Sequence, residues 1–536
     1  VADVDTGKTT QITDGDWFDQ NPSWSPDGRT IAFASDRASE RHQRQFRADV
    51  WTVAAKGGTA SRLSRGRGGA MFPMFSPDGR WVAYAGHEHG DAGAAKHSHL
   101  LIVPATGGAA PRSISSALDR SVAALFGSSI AWTRDSRSVL FSASDGGAVS
   151  IYRASLKDGA VSQVVGDQRQ IQGFALAPDG RTIAFAAGFS SQPMEVYATA
   201  IGSGARERNL SHANDELLAT AELASTKRMV VRTADGLDIE SFVLYPPGYK
   251  AGRRYPFVLN IHGGPNGAHP EAGFNLRVQA LAAAGYVVAM PNPRGSSGYG
   301  ETFMHACVND WGGGDYEDLM AVTDACVQKG IADPARLFVM GYSYGGFMTT
   351  WTIGHTDRFR AAIIGAPVSN QVSMRGTSDI PLFSDYNIGD TPYENSEEWR
   401  ARSPVTYLPN VTSAVLIEHH EGDLRCPIGQ AEEIFQNLKI LGKEVEFLRY
   451  PGGFHGHLTH APSQEIDFIS RAVAWFDGHG GKAKERGASR NGAKAASGAN
   501  VSANGVKAAA DGAKAHENGA GRPANGRQRA KTAARA

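Results

Sequence analysis

The sequence predicts a doubly wound, mostly parallel α/β sheet domain preceded by part of a β-propeller and followed by a disordered tail. Three observations lead there. An apolar run from Leu337 to Met340 meets Gly341-Tyr342-Ser343-Tyr344-Gly345 and leaves as a helix, a turn-and-strand pattern recurs four times before residue 200, and composition collapses after about residue 478. The expected boundaries are 1–220 for the blades, 221–478 for the α/β domain and 479–536 for the tail.

The repeat decides the first part. WSPDGRTIAF, FSPDGRWVAY, WTRDSRSVLF and APDGRTIAF each set a tight turn, with Asp27, Asp78, Asp135 or Asp179, before a strand of alternating apolar residues. Between them runs a second pattern, an apolar strand followed by a glycine-containing turn, as in DVWTVAAKGGTASRLS. This spacing is that of one four-stranded blade. A propeller is stable because its blades close a ring of about four to eight, so further blades are expected before Val1. His87, His89, His97 and His99 fall in a glycine-rich insertion; alternate histidines there read as solvated side chains rather than metal ligands.

From about Val230 the period changes. Short apolar strands at 241–249, 255–261, 286–295, 337–340, 361–367, 413–420 and 445–452 alternate with helical stretches at 274–285, 310–330, 431–441 and 465–476. The helix within 310–330 is expected to begin near Asp315, with acids in its first turn as the helix dipole favours. After Gly478 almost no aromatic or branched apolar residues remain, too few to offset the entropy of ordering.

Bulk properties exclude several classes. With 536 residues the chain exceeds one core, and 41% hydrophobic and 20% charged residues suit a folded globular protein. The longest nearly uncharged apolar run, about Ala280 to Met290, falls well short of the roughly 20 residues that cross a bilayer. No membrane span is expected, and Val1 to Asp5 shows no signal-peptide character. Cys307, Cys326 and Cys426 lie far apart with no C-x-x-C, which favours buried free thiols in a reducing, cytoplasmic compartment. The residues from Gly481 on hold twelve basic and three acidic residues in a chain of zero net charge, so the body before them carries about −9 and should repel nucleic acid.

The stretch around Ser343 is a nucleophile elbow, in which glycines flank a serine held on a strained turn at the top of a sheet. Activating that serine requires a base within hydrogen-bond reach and an acid to orient the base. In an α/β-hydrolase the acid and then the histidine follow on later strand ends. Asp423 follows the strand ending at His420, and His455 follows the strand ending near Gly452, so both stand where that order requires. Glu421 is a nearby alternative acid, His457 and His460 are alternative bases, and His419 and His420 read as structural. The oxyanion hole is expected to combine the backbone N–H of Tyr344 with a donor from the His262-Gly263-Gly264-Pro265 turn. No cofactor or metal is implied.

Taken together, IHGGPNG, NPRGSSGYG, DWGGGDYEDLM, GYSYGGFMTTW, HHEGDLRCPIGQAEEIF and YPGGFHG resemble the catalytic domain of the prolyl oligopeptidase family, closest to its acylaminoacyl-peptidase-like and dipeptidyl-aminopeptidase-like branch. The resemblance extends over about residues 1–477. It implies a serine peptidase for short peptides, with Ser343, Asp423 and His455 as the triad and a propeller that filters substrates by size. Some relatives place a tyrosine hydroxyl in the oxyanion hole; His262 stands at that position, which favours a backbone donor from Gly263 or Gly264. Proline-selective relatives carry aromatic residues just after the A-P-V-S segment, whereas Asn370 to Met374 follow it here, so a broader apolar preference is expected. Val368 and Arg425 are the candidate substrate-binding residues. A carboxylesterase on the same triad and a non-catalytic propeller scaffold are the alternatives. A homo-oligomer is left open.

Overall fold

In the computed structural model the described residues are 1–39, 47–65, 68–89, 95–122, 130–202, 205–269, 273–456 and 461–481. The second unit, Lys484–Ala536, therefore lies outside them, as do His457 and His460.

Four antiparallel four-stranded blades come first. Blade one holds Gln20–Trp24, Thr30–Ser35, Asp49–Ala54 and Ser61–Arg62, and blade two holds Ala70–Phe75, Trp81–Gly86, His99–Pro104 and Arg112–Ser113. Blade three runs from Ile130–Trp132 to Val161–Val165 and blade four from Gln170–Leu176 to Arg208–Asn209, joined by one parallel pairing of Val149 with Gln170. The repeated aspartates close the first turn of each blade. Asp27 Oδ1 accepts the Ser25 hydroxyl at 2.7 Å and the Arg29 N–H at 3.1 Å, and Asp78 and Asp135 repeat the arrangement. Where blade four has Ala177 in place of the serine, Thr182 supplies the hydroxyl to Asp179.

Period-2 alternation explains why the blades stack. Along Trp81–Gly86, Val82 and Tyr84 pack into the core shared with blade one, while Ala83 and Ala85 pack into the core shared with blade three. The histidine insertion departs from expectation. His97 is 1% exposed because it sits where blade two meets the α/β domain, although His89 is exposed as expected. No metal-ligand cluster occurs among the described residues.

The α/β domain is one eight-stranded sheet. Its strands are β1 (Ser225–Arg232), β2 (Asp238–Tyr245), β3 (Tyr255–Ile261), β4 (Val287–Asn292), β5 (Ala332–Tyr342), β6 (Ala361–Gly365), β7 (Ala414–His420) and β8 (Val445–Tyr450). The spatial order is β1-β2-β4-β3-β5-β6-β7-β8, parallel from β4 to β8 and antiparallel at β1-β2 and β2-β4. Both faces are covered, so the central strands read as continuous apolar runs. Leu337 and Val339 face one core and Phe338 and Met340 the other. The main helices are α1 (Leu276–Ala283), α2 (Gly314–Gln328), α3 (Tyr344–His355), α4 (Gly429–Ile440) and α5 (Pro462–Phe476).

Polar contacts join the blades to this domain beside the loop after β4. Glu301 accepts the Lys96 ammonium at 3.1 Å and the His97 N–H at 2.9 Å, and its own N–H donates to Asp119 at 3.0 Å. The N–H of Gly146, in a blade-three hairpin, donates to the Gly298 carbonyl at 2.8 Å. The three cysteines are free and buried. Among the described residues no helix is long and apolar enough to cross a membrane.

Candidate active site

The turn between β5 and α3 carries Ser343 at φ 65°, ψ −123°, a backbone that a side chain adopts only when its surroundings hold it there. The flanking glycines make that possible. A Cβ at Gly341 would overlap the Gly345 carbonyl, and one at Gly345 would overlap the Ile261 carbonyl at the end of β3. Strand and helix thus pass at backbone contact, and Ser343 is lifted to the C-terminal rim of the sheet.

Two loops reach the same rim. His455, beyond β8, places Nε2 2.9 Å from Ser343 Oγ, and its Nδ1 donates to Asp423 Oδ2 at 2.7 Å. Asp423, beyond β7, is 3% exposed, and its Oδ1 accepts the N–H groups of Arg425 (2.9 Å) and Cys426 (3.0 Å). Burial opposes ionisation of this carboxyl, but hydrogen bonds from His419 and His455 outweigh it and hold the group well below the usual carboxylate range. Glu421 is turned away, paired with Arg449 at 3.2 Å.

The His262 to Pro265 turn lies against Ser343. A Cβ at Gly263 would stand 3.3 Å from Ser343 Cβ, so only glycine backbone occupies that space. The His262 ring faces its own turn: Nδ1 lies 2.7 Å from the Gly263 carbonyl, and Nε2 lies 2.8 Å from the Ser296 hydroxyl, which itself donates to the Pro293 carbonyl at 2.6 Å. Burial lowers its pKa to about 4, so the ring is neutral and serves as a brace. Tyr344 heads α3 with its side chain 1% exposed.

The two candidate substrate residues separate. Val368 is 4% exposed and belongs to the core beneath β6, while the Arg425 guanidinium is held by Asp379 at 2.7 Å. Three neighbours escaped the sequence reading. Tyr342 packs its ring 5.2 Å from that of His455, and its hydroxyl accepts the Gly456 N–H at 3.3 Å, bracing the histidine loop. His419 donates to the Cys426 carbonyl at 2.7 Å and lies 3.4 Å from Asp423. Burial pushes the Cys426 thiol up, and the nearby Asp423 carboxylate adds to that rise. The sequence placed Tyr342 and Cys426 inside its motifs, but nothing local showed where their side chains point.

The Prolyl oligopeptidase family profile matches residues 272–483, which include the elbow, both loops and α5. Over those residues the chain is similar to the prolyl oligopeptidase family. It is 37% identical over 351 residues to the uncharacterized peptidase YuxL of Bacillus subtilis, covering 65% of this chain and 53% of that protein. It is 27% identical over 464 residues to dipeptidyl-peptidase 5 of Porphyromonas gingivalis, covering 85% and 66%. The Pyrococcus horikoshii acylaminoacyl peptidase structure aligns with a TM-score of 0.74 and 26% identity over 87% of this chain and 72% of that one. The chain thus spans about half to two thirds of the length of these curated relatives.

Proposed function

We propose that this chain is a serine peptidase of the prolyl oligopeptidase family that cleaves short peptides through an acyl-enzyme. The observation that carries the reading is the unbroken chain from Ser343 Oγ through the His455 imidazole to the Asp423 carboxylate, at 2.9 and 2.7 Å. In this reading Ser343 attacks the scissile carbonyl as His455 Nε2 takes its proton, and His455 then passes that proton to the leaving amine. Asp423 stays ionised, holds the imidazole in the tautomer with a free Nε2 and stabilises the imidazolium that forms. The N–H of Tyr344 and a backbone N–H of Gly263 or Gly264 receive the oxyanion. Water activated by the same histidine then releases the acyl group.

The relatives and the rim support this substrate class. An acylaminoacyl peptidase and dipeptidyl peptidases are among the proteins this chain resembles. Leu424 and Phe454, each one position from a triad member, are both 64% exposed, which favours apolar residues near the scissile bond. The blades act as a size filter over the rim. The purified chain and its Ser343→Ala variant should be compared on an acyl-amino-acid anilide, a dipeptidyl anilide and a butyrate ester, together with fluorophosphonate labelling. Peptide anilide turnover and labelling that both vanish in the variant support the reading. Ester turnover without anilide turnover would replace it with an esterase.

A further inference from the structure

If the Tyr344 N–H receives the oxyanion, whatever fixes the peptide between Ser343 and Tyr344 sets the quality of the hole. On the serine side the fixing is backbone: the Ser343 N–H donates to Gly365 O at 3.0 Å, and Ser343 O accepts the Phe347 N–H at 2.9 Å. On the tyrosine side it is a side chain. The Tyr344 ring packs edge-on against Trp311 at 5.0 Å and stacks on Phe347 at 5.7 Å, and its hydroxyl donates to Oδ2 of Asp315.

Asp315 is fully buried near the start of α2, and its Oδ1 accepts the N–H groups of Gly312 and Tyr316, each at 2.8 Å. The three glycines before it make the cradle. A Cβ at Gly312 would strike the Trp351 indole, at Gly313 the Asp310 carboxylate and at Gly314 the Arg294 guanidinium. Burial pushes the Asp315 carboxyl up to about 7 against three hydrogen-bond donors, so the arrangement is kept at a cost. Pinning a core ring does not require this, because apolar residues of similar volume hold a core as well as buried polar partners do. What a carboxylate adds is direction.

We propose that Asp315 is a positioning residue for the oxyanion hole, holding the Tyr344 phenol and through it the peptide whose N–H meets the developing charge. It touches neither substrate nor reacting atoms. The proposal rests on the peptidase reading above, and one experiment separates the two. Tyr344→Phe, Asp315→Asn and the double variant are compared with wild type and Ser343→Ala. The measurements are kcat and KM on the preferred anilide, Ki for a peptidyl aldehyde whose hemiacetal oxygen occupies the hole, and Tm.

Each single variant should lose about tenfold to a hundredfold in kcat, less than deletion of an oxyanion donor costs. KM should move by less than about twofold, aldehyde Ki should rise by the factor that kcat/KM falls, and the double variant should be no worse than the weaker single. Variants that lose Tm but keep kcat and aldehyde affinity within about twofold would make the pair merely structural and overturn the proposal. If Asp315→Asn fails to fold, Tyr344→Phe, which removes only a hydroxyl, decides alone by the same criteria. Turnover that survives in Ser343→Ala sinks the peptidase reading and this proposal with it, whereas unchanged kinetics in the Tyr344 and Asp315 variants sink the proposal alone.

Discussion

Replacing Gly345 with alanine tests whether backbone contact between α3 and β3 sets the geometry at Ser343. The added Cβ would lie 2.2 Å from the Ile261 carbonyl oxygen and 3.0 Å from that of His262. Both are main-chain atoms, so no side chain can swing aside. A comfortable carbon–oxygen approach is about 3.3 Å, and the helix and the strand end must therefore part by roughly 1 Å. Overpacking of this kind costs about 1–3 kcal/mol of stability. The larger effect is on rate, because the His262 to Pro265 turn moves with the end of β3 while Ser343 moves with the helix. A misplacement of about 1 Å costs about a hundredfold in rate, equivalent to about 2.7 kcal/mol. The assay is kcat/KM on the preferred anilide beside a thermal melt. Gly376→Ala serves as the control, because Gly376 lies in the helix Gln371–Thr377 with no atom within 4 Å of an added Cβ. A Gly345→Ala enzyme within about threefold of wild type, with an unchanged Tm, would refute the reasoning.

Other expectations concern strain, buried charge and pH. Ser343→Gly should be inactive yet melt about 2–4 °C higher, because glycine accepts φ 65° without the roughly 1 kcal/mol or more that serine bears there; a lower Tm contradicts this. Arg277→Met should cost about 3–5 kcal/mol in urea titration, since it strips the partner at 2.8 Å from Glu418, which is 1% exposed. Adding Glu418→Gln should recover part of that loss, and no recovery would place the cost in packing against Phe468 instead. Burial raises the Asp315 carboxyl from an ordinary 3.8 to about 7, so its contribution to stability is full below about pH 4 and is lost as pH rises through 7. Burial and the nearby Asp310 carboxylate oppose its ionisation, while the Tyr344 hydroxyl and the N–H groups of Tyr316 and Gly312 donate to it and favour the charged form. Wild-type Tm should therefore fall relative to Asp315→Asn between pH 5.5 and 8.5, and a constant gap in Tm would show that the carboxyl does not titrate in the folded protein.

Much of this architecture was legible because it rests on local rules. The turns at Asp27, Asp78, Asp135 and Asp179 announced themselves by hydrogen bonds that span two or three residues. The elbow was visible because close backbone passage demands glycine at 341 and 345. The order of serine, acid and histidine then selected the loops that the structure brings together. What the sequence left open depended on long-range register. Nothing local separates Asp423 from Glu421; the distinction arises because β7 pairs with β8, which sets His455 over one and leaves Arg449 beside the other. The acids near the start of α2 looked like residues answering the helix dipole, yet Asp315 and Asp318 are both fully buried, one on Tyr344 and the other on Arg294. Their partners lie 24 to 29 residues away in the chain, beyond the reach of periodicity.

The proposed nucleophile and its proposed base stand on unequal ground. Ser343 follows directly on β5, which has neighbours on both sides, whereas His455 hangs beyond β8, the outermost strand, paired along one side only among the described residues. Outer strands fray at temperatures where inner ones are still locked. Warming should therefore uncouple the imidazole from the hydroxyl while the interior of the sheet is intact, and catalytic power should fade in advance of the cooperative melt.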